Sequence, residues 1–390
     1  MTTPPPPDPV PDPVPDPVSG AVTRSRHPAR AVVAGSAVLA VSAGLVMVVP
    51  RLLHTTWPAV WSVLGGVPVG WLIVLAVVWL AGLVAHTLVL SASLPGLSAR
   101  RALALNLAGS SVANLVPLGG PVSLGLTTGM ARSWGFRSTA IGAFLTVSSV
   151  WNVAARAGLG VVGLIWWMTR PGAAHPALVG GAAALVVAVV AASVAVLSSE
   201  RVAALLAGLA GRVAAIAARA AAFLRTGGRT GGRRPARVRT PGVEAGVRER
   251  VTGSITSVRR SSVAIARRSW PALSAGMLGY SILLFLLLGL CLQVLGAPQP
   301  VMTVVAVVCV ERLLTAVPLT PGAVGVAEIG LAGSLVLGGV DPATAAAAAL
   351  LYRLYTFALE IPVGLLVATG WAVARRWLPV LTARPVGGGS

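Results

Sequence analysis

Long apolar runs, two of them interrupted by Pro-Gly clusters, constrain this chain more than any other feature. Runs at 31–49, 68–90, 139–168, 177–198, 271–295 and 343–373 approach or exceed the roughly 20 residues that cross a bilayer core as a helix. Two further stretches, 102–131 and 301–340, are apolar but broken, at Asn114-Leu115-Val116-Pro117-Leu118-Gly119-Gly120-Pro121 and at Val317-Pro318-Leu319-Thr320-Pro321-Gly322. Each reads as two half-length helices around a break. The expected fold is an all-α polytopic membrane protein with about six full spans and two broken or re-entrant segments.

Composition agrees. Hydrophobic residues make up 56% and charged residues 10% of the 390 positions, against about 45–50% and about 25% in soluble domains. A soluble enzyme is excluded. The net charge of +20 comes entirely from arginine, since lysine is absent. The arginines flank apolar runs instead of forming a face of their own, which argues for membrane orientation and against nucleic acid. Without lysine there is also no phosphate-binding loop of the G-x-x-x-x-G-K type. Cys291 and Cys309 lie inside apolar runs and read as core filler. The four histidines, of which only His86 lies in a span, have no metal-ligand spacing, so no metal or cofactor is expected.

Residues 1–30 open with a Pro-Asp-Pro-Val repeat, read as an extended tail preceding a retained anchor. Residues 31–198 form a first membrane unit, 199–270 a basic loop, 271–376 a second unit and 377–390 a short tail. The loop holds 15 of the 30 arginines with three acidic residues. Within it Arg201, Arg212 and Arg219 share one helical face, suited either to an amphipathic helix on anionic inner-leaflet lipids or to a continuation of the preceding span. Arg24, Arg26, Arg30, Arg100, Arg101, Arg132, Arg137, Arg375 and Arg376 fall on the same side as the loop if each broken segment returns to the side it started from. Both termini are then expected in the cytoplasm, with the plasma membrane as the compartment.

A shift of 201 residues aligns Val116-Pro117-Leu118 with Val317-Pro318-Leu319 and Val162-Gly163-Leu164 with Val363-Gly364-Leu365. Each unit reads as a span, a broken segment and a span, and the two have opposite orientation. Inverted repeats with paired broken helices recur in secondary transporters.

Ionisable residues at membrane depth cost about 2.5–3.5 kcal/mol each on insertion scales and usually face protein or a wet cavity. Here Glu311, Arg312, Glu328, Arg353 and Glu360 cluster in the second unit. Arg353, Thr356 and Glu360 share a face at α-helical spacing. They read either as a polar cavity, with arginines for an anionic phosphate and carboxylates for charge balance or protons, or as ion pairs that only join helices. The first unit offers Asn106, Asn114, Asn152 and Arg156. At the second break Pro321, Gly322 and Gly325 permit a chain reversal that exposes backbone groups, with Glu328 in the first turn of the next half-helix.

Pro318, Pro321, Gly322, Gly325, Glu328 and Arg353 resemble the motif of the lysylphosphatidylglycerol synthase transmembrane region, a flippase-like family that also forms the membrane half of the multiple peptide resistance factor. Asn114, Pro117, Gly119 and Gly120 resemble its first motif. Ala323 departs from the pattern, which has a second glycine there, so a looser turn is expected. With a short tail after Arg376, the family's soluble aminoacyl-transferase domain is not expected. The resemblance implies translocation of a phospholipid or lipid-linked amphiphile without its synthesis. A membrane-embedded lipid-linked transferase, or a membrane partner of a separate lipid synthase, is the alternative. Few acids lie in the loops placed outside, so no catalytic set is expected, and assembly as a homodimer is left open.

Overall fold

The computed structural model describes residues 44, 46–115, 119–168, 241–315 and 321–382, with side chains except at 164–168, 241–255, 321 and 376–382. The tail, most of the 31–49 span, the 177–198 span and the Arg201–Arg219 segment lie outside the described residues. All regular structure among the described residues is helical: α1 Trp57–Gly65, α2 Val69–Ser93, α3 Ala99–Leu115, α4 Gly119–Ser133, α5 Ser138–Met168, α6 Pro241–Val294, α7 Val301–Leu314, a 3-10 turn Pro321–Ala323, α8 Val326–Leu337, α9 Pro342–Arg353, a π turn Leu354–Ala358 and α10 Glu360–Thr382. Among the described residues four stretches are long and apolar enough to cross a membrane: Val69–Ser93, Ser138–Gly163, Thr256–Val294 and Pro342–Arg375.

Both broken stretches divide into half-helices. At 1.5 Å per residue, α3 and α4 are about 26 and 23 Å long and α7 and α8 about 21 and 18 Å, all short of a roughly 30 Å hydrocarbon core. Each pair folds back on itself. Leu97 and Ala102 cluster with Met130, Trp134 and Phe136, so the first hairpin starts and finishes at one end of the molecule. Val304 and Val308 cluster with Leu335 and Val340, so the second does the same. The Ser123 hydroxyl donates to the Gly109 carbonyl at 2.8 Å, tying the arms of the first hairpin.

The two hairpins enter from opposite ends. Helices α2 and α6 run antiparallel, with Leu75 packed among Leu287, Leu288 and Leu292 and Gly276 packed against Ala85 and Val89. The turn at 94–98 therefore lies at the end opposite the turn at 295–300. Arg100, Arg101, Arg132, Arg137, Arg259, Arg260, Arg267 and Arg268 mark the first end. Among the described residues only Arg51 lies near the other.

Packing between the halves is reciprocal. Helix α10 lies along α3, and α5 lies along α7. Close approach at both contacts needs glycine: a Cβ on Gly364 would collide with the Leu107 carbonyl and the Ser111 side chain, and one on Gly163 would stand 2.7 Å from Cys309 Cβ. Small residues serve this purpose in membranes, where dispersion contacts replace the hydrophobic drive between helices. Ala345, Ala346, Ala347, Ala348 and Ala349 of α9 are all fully buried for the same reason.

The structure differs from the sequence reading in three elements. Residues 241–270, read as the last part of the basic connecting segment, are helical and continuous with the span that starts at 271. Pro271 lacks a donor, but α6 runs through it, because the loss is one bond in a helix packed along α2 and α5. Helix α1 was not anticipated. It is too short to register as a span, and Pro58 in its first turn starts it. Past Arg353 the last span changes to a π turn, where the Tyr355 hydroxyl donates to the Leu72 carbonyl at 2.7 Å.

Candidate functional site

The second break is built around Arg353, at the end of α9 and 6% exposed. Its Nε donates to Glu328 Oε1 at 2.8 Å, and a terminal nitrogen donates to the Gly322 carbonyl at 2.7 Å. A second terminal nitrogen lies 3.8 Å from Glu311 Oε1. The guanidinium sits over the Phe357 ring, 4.6 Å from its centroid. This geometry is possible because the chain turns left-handed: Gly322 has φ 59°, Ala323 54° and Gly325 85°. A Cβ on Gly322 would also strike the Phe357 ring. Only glycine adopts such angles freely, so the tight turn forms at Ala323 too, against expectation. There the surrounding contacts hold an alanine in a conformation it otherwise avoids.

Glu328 occupies the third position of α8, and its second oxygen accepts the Gly325 N–H at 2.5 Å. One carboxylate thus satisfies a free helix donor, lies at the positive end of the helix dipole and neutralises Arg353. Glu311, fully buried at the end of α7, receives two hydrogen bonds from the neighbouring Arg312, at 2.5 Å from Nε and 2.8 Å from a terminal nitrogen. Two carboxylates and two arginines form one connected cluster.

That cluster is one wall of a cavity of about 630 Å³. Arg312, Gly322, Arg353 and Glu360 line it from the second unit, as do Asn114 and Arg156 from the first. Glu311, Gly325 and Glu328 stand behind this surface, and the Pro321 side chain lies outside the described residues. Arg353, Thr356 and Glu360 line the same cavity, though not from one α-helical face. The π turn between them advances fewer degrees per residue than an α-helix, so the shared face expected from α-helical spacing is replaced by a common lining of a wide cavity.

Asn106 and Asn152 also line the cavity. Ser110, Ser123, Thr127, Ser148, Ser149, Thr315 and Tyr280, which the sequence did not mark, line it too, as does His86, the one histidine within a span. His86 Nε2 is 3.4 Å from Asn152 Nδ2, and its ring centroid is 5.1 Å from that of Tyr280. Serine and threonine escaped notice because in a membrane helix they satisfy themselves on their own backbone, as Ser148 does on the Phe144 carbonyl at 2.7 Å. At the first break, Gly119 is required: a Cβ there would collide with the carbonyls of Val112 and Ala113. Among the described residues no three His, Cys, Asp or Glu side chains converge as a metal site.

Comparison with curated proteins and with solved structures gave no match. The family described as the lysylphosphatidylglycerol synthase TM region matches residues 32–364 of the 390. Both broken segments, the cavity and the Glu328–Arg353 pair lie inside that span. This multi-pass helical chain therefore belongs to the lysylphosphatidylglycerol synthase TM region family, which places it among membrane proteins concerned with lipids.

Proposed function

We propose that this protein translocates an anionic amphiphile, a phospholipid or lipid-linked molecule, by alternating access between two inverted repeats. The observation that carries the reading is the polar cavity of about 630 Å³ between the two halves, bounded by both helix breaks and lined by three arginines at membrane depth. Charged groups are costly there unless they face a wet path or a substrate. A break in each half is the arrangement in which one repeat can rock against the other around a fixed site.

The packing supports an inverted repeat. Exchanging the units maps the α10–α3 contact onto the α5–α7 contact and leaves α2–α6 in place. The shift of 201 residues carries Gly163 onto Gly364, and both are close-approach points against the other unit's broken helix. Near the axis, Gly82 maps onto Leu283, and an added Cβ on Gly82 would stand 3.7 Å from Leu283 Cβ. The arginine-rich end would face the cytoplasm of a cell whose plasma membrane holds the protein. The reading assigns transport and no catalytic step.

The test is reconstitution in liposomes carrying fluorescent phospholipid, with an impermeant quencher outside. The expected result is that protein exposes inner-leaflet anionic lipid to the quencher faster than in empty liposomes. Equal rates for anionic and neutral lipids, both at the empty-liposome value, would sink the proposal.

A further inference from the structure

Three arginines reach the cavity, and two are already committed. Arg353 is held by Glu328 and the Gly322 carbonyl, and Arg312 by Glu311. Arg156, on α5 of the first unit, makes no hydrogen bond or ion pair with any described residue. Its charged neighbours are Arg312, a like charge, and Glu311, which already serves Arg312 and faces Arg353. Glu360 lines the same cavity but forms no ion pair with Arg156. A guanidinium at this depth beside a second cation is unfavourable unless something brought to the site supplies negative charge.

The surroundings of Arg156 are polar: Asn152 Nδ2 makes only long contacts of 3.4 Å, to the Ser148 carbonyl and His86 Nε2, while the Ser148 hydroxyl donates to the Phe144 carbonyl. Ser148, Asn152 and Arg156 stand four residues apart on one face of α5, and all three line the cavity. Tyr280, on α6, lines the same cavity as Arg156. Guanidinium with amide and hydroxyl donors matches the acceptor-only oxygens of a phosphate group, which favours forked, charge-assisted hydrogen bonds. A phosphodiester presents several oxygens on one centre, which Arg156 and Arg312, both lining the cavity, can face together.

We infer that Arg156, with Asn152 and Tyr280, is the anion-recognition point of the cavity and takes the phosphate of the substrate's head group, while Arg353 and Arg312 hold the second break in shape. This rests on the reading that the cavity accepts an amphiphile, and its test is equilibrium binding, which does not require transport. Purified wild type, R156Q, R156K and R312Q proteins would be titrated with short-chain phosphatidylglycerol, short-chain diacylglycerol and inorganic phosphate, with bound lipid read by native mass spectrometry.

R156Q is expected to weaken phosphatidylglycerol binding by about tenfold or more, the scale of losing one charge-assisted pair. Diacylglycerol binding should stay as in wild type, and R156K should keep part of the preference. Displacement of the lipid by millimolar phosphate would show that the free anion suffices. Absence of displacement would assign recognition to the lipid head group. Both results keep Arg156 as the anion point. R156Q should melt no lower than wild type, because it removes an unpaired charge, and R312Q should melt lower. Unchanged phosphatidylglycerol affinity in R156Q, or a lowered melting temperature for that variant, overturns the inference. A wild type that binds but does not translocate would sink the transport proposal and leave this one standing.

Discussion

At the scale of single residues, the second break turns on two neighbours with opposite demands. Gly322→Ala adds a left-handed alanine, costing about 1–2 kcal/mol, and drives a methyl into the Phe357 ring. The expected loss exceeds about 2 kcal/mol. Ala323→Gly relieves a similar strain but loses burial of one methyl, about 0.8 kcal/mol, so its stability should stay within about 1 kcal/mol of wild type. Calorimetric unfolding in detergent distinguishes the two, and equal effects would mean that the turn differs from the one described. For the ion pair, Arg353→Gln strands Glu328 against buried surroundings and should cost about 3–5 kcal/mol. Replacing Arg353 and Glu328 together by methionine should recover much of that loss if the pair is structural. The double variant carries the sharper question. If it is stable yet inactive in liposomes, the pair also takes part in transport, whereas full activity limits its role to holding the turn.

At the scale of elements, the half-helices gain their order from partners in the other unit. Helix α3 is shorter than a span and has α10 beside it, and α7 has α5. An added Cβ at Gly364 would collide with the Leu107 carbonyl oxygen and stand 2.6 Å from Ser111 Cβ, whereas one at Gly163 would meet only Cys309 Cβ that closely, at 2.7 Å. Gly364→Ala should therefore cost more than Gly163→Ala, within the roughly 1–3 kcal/mol typical of overpacking. Thermal melts of both variants check the order, and a larger loss at Gly163 would show that α5 and α7 are the tighter contact. The glycines at 163 and 364 were visible in the sequence as part of a weak repeat. Their function as contact points was not, because spacing along a chain says nothing about which distant helix comes close.

At the scale of the whole molecule, charge sorts the two ends. In a background with Cys291 and Cys309 replaced, Ser98→Cys at the arginine-rich end should resist an impermeant thiol reagent in intact cells, and Gln299→Cys at the other end should react. The reverse pattern would invert the orientation. The sequence by itself determined that this chain lives in a membrane as helices, where its breaks fall and which ionisable residues need shelter. Those follow from one-dimensional quantities: the length of apolar runs, the lack of a donor in proline, the freedom of glycine and the price of charge at depth. Tertiary structure decided the rest. It showed that Arg353 Nε donates to a carboxylate oxygen of Glu328, 25 residues away, that a π turn and not an α-helix carries Thr356 into the cavity, and that Arg156 alone of the cavity arginines has no hydrogen-bond or ion-pair partner among the described residues. Hydrogen-bond commitment depends on which side chains from separate helices arrive at one point, and that convergence is a property of packing which no spacing along the sequence encodes.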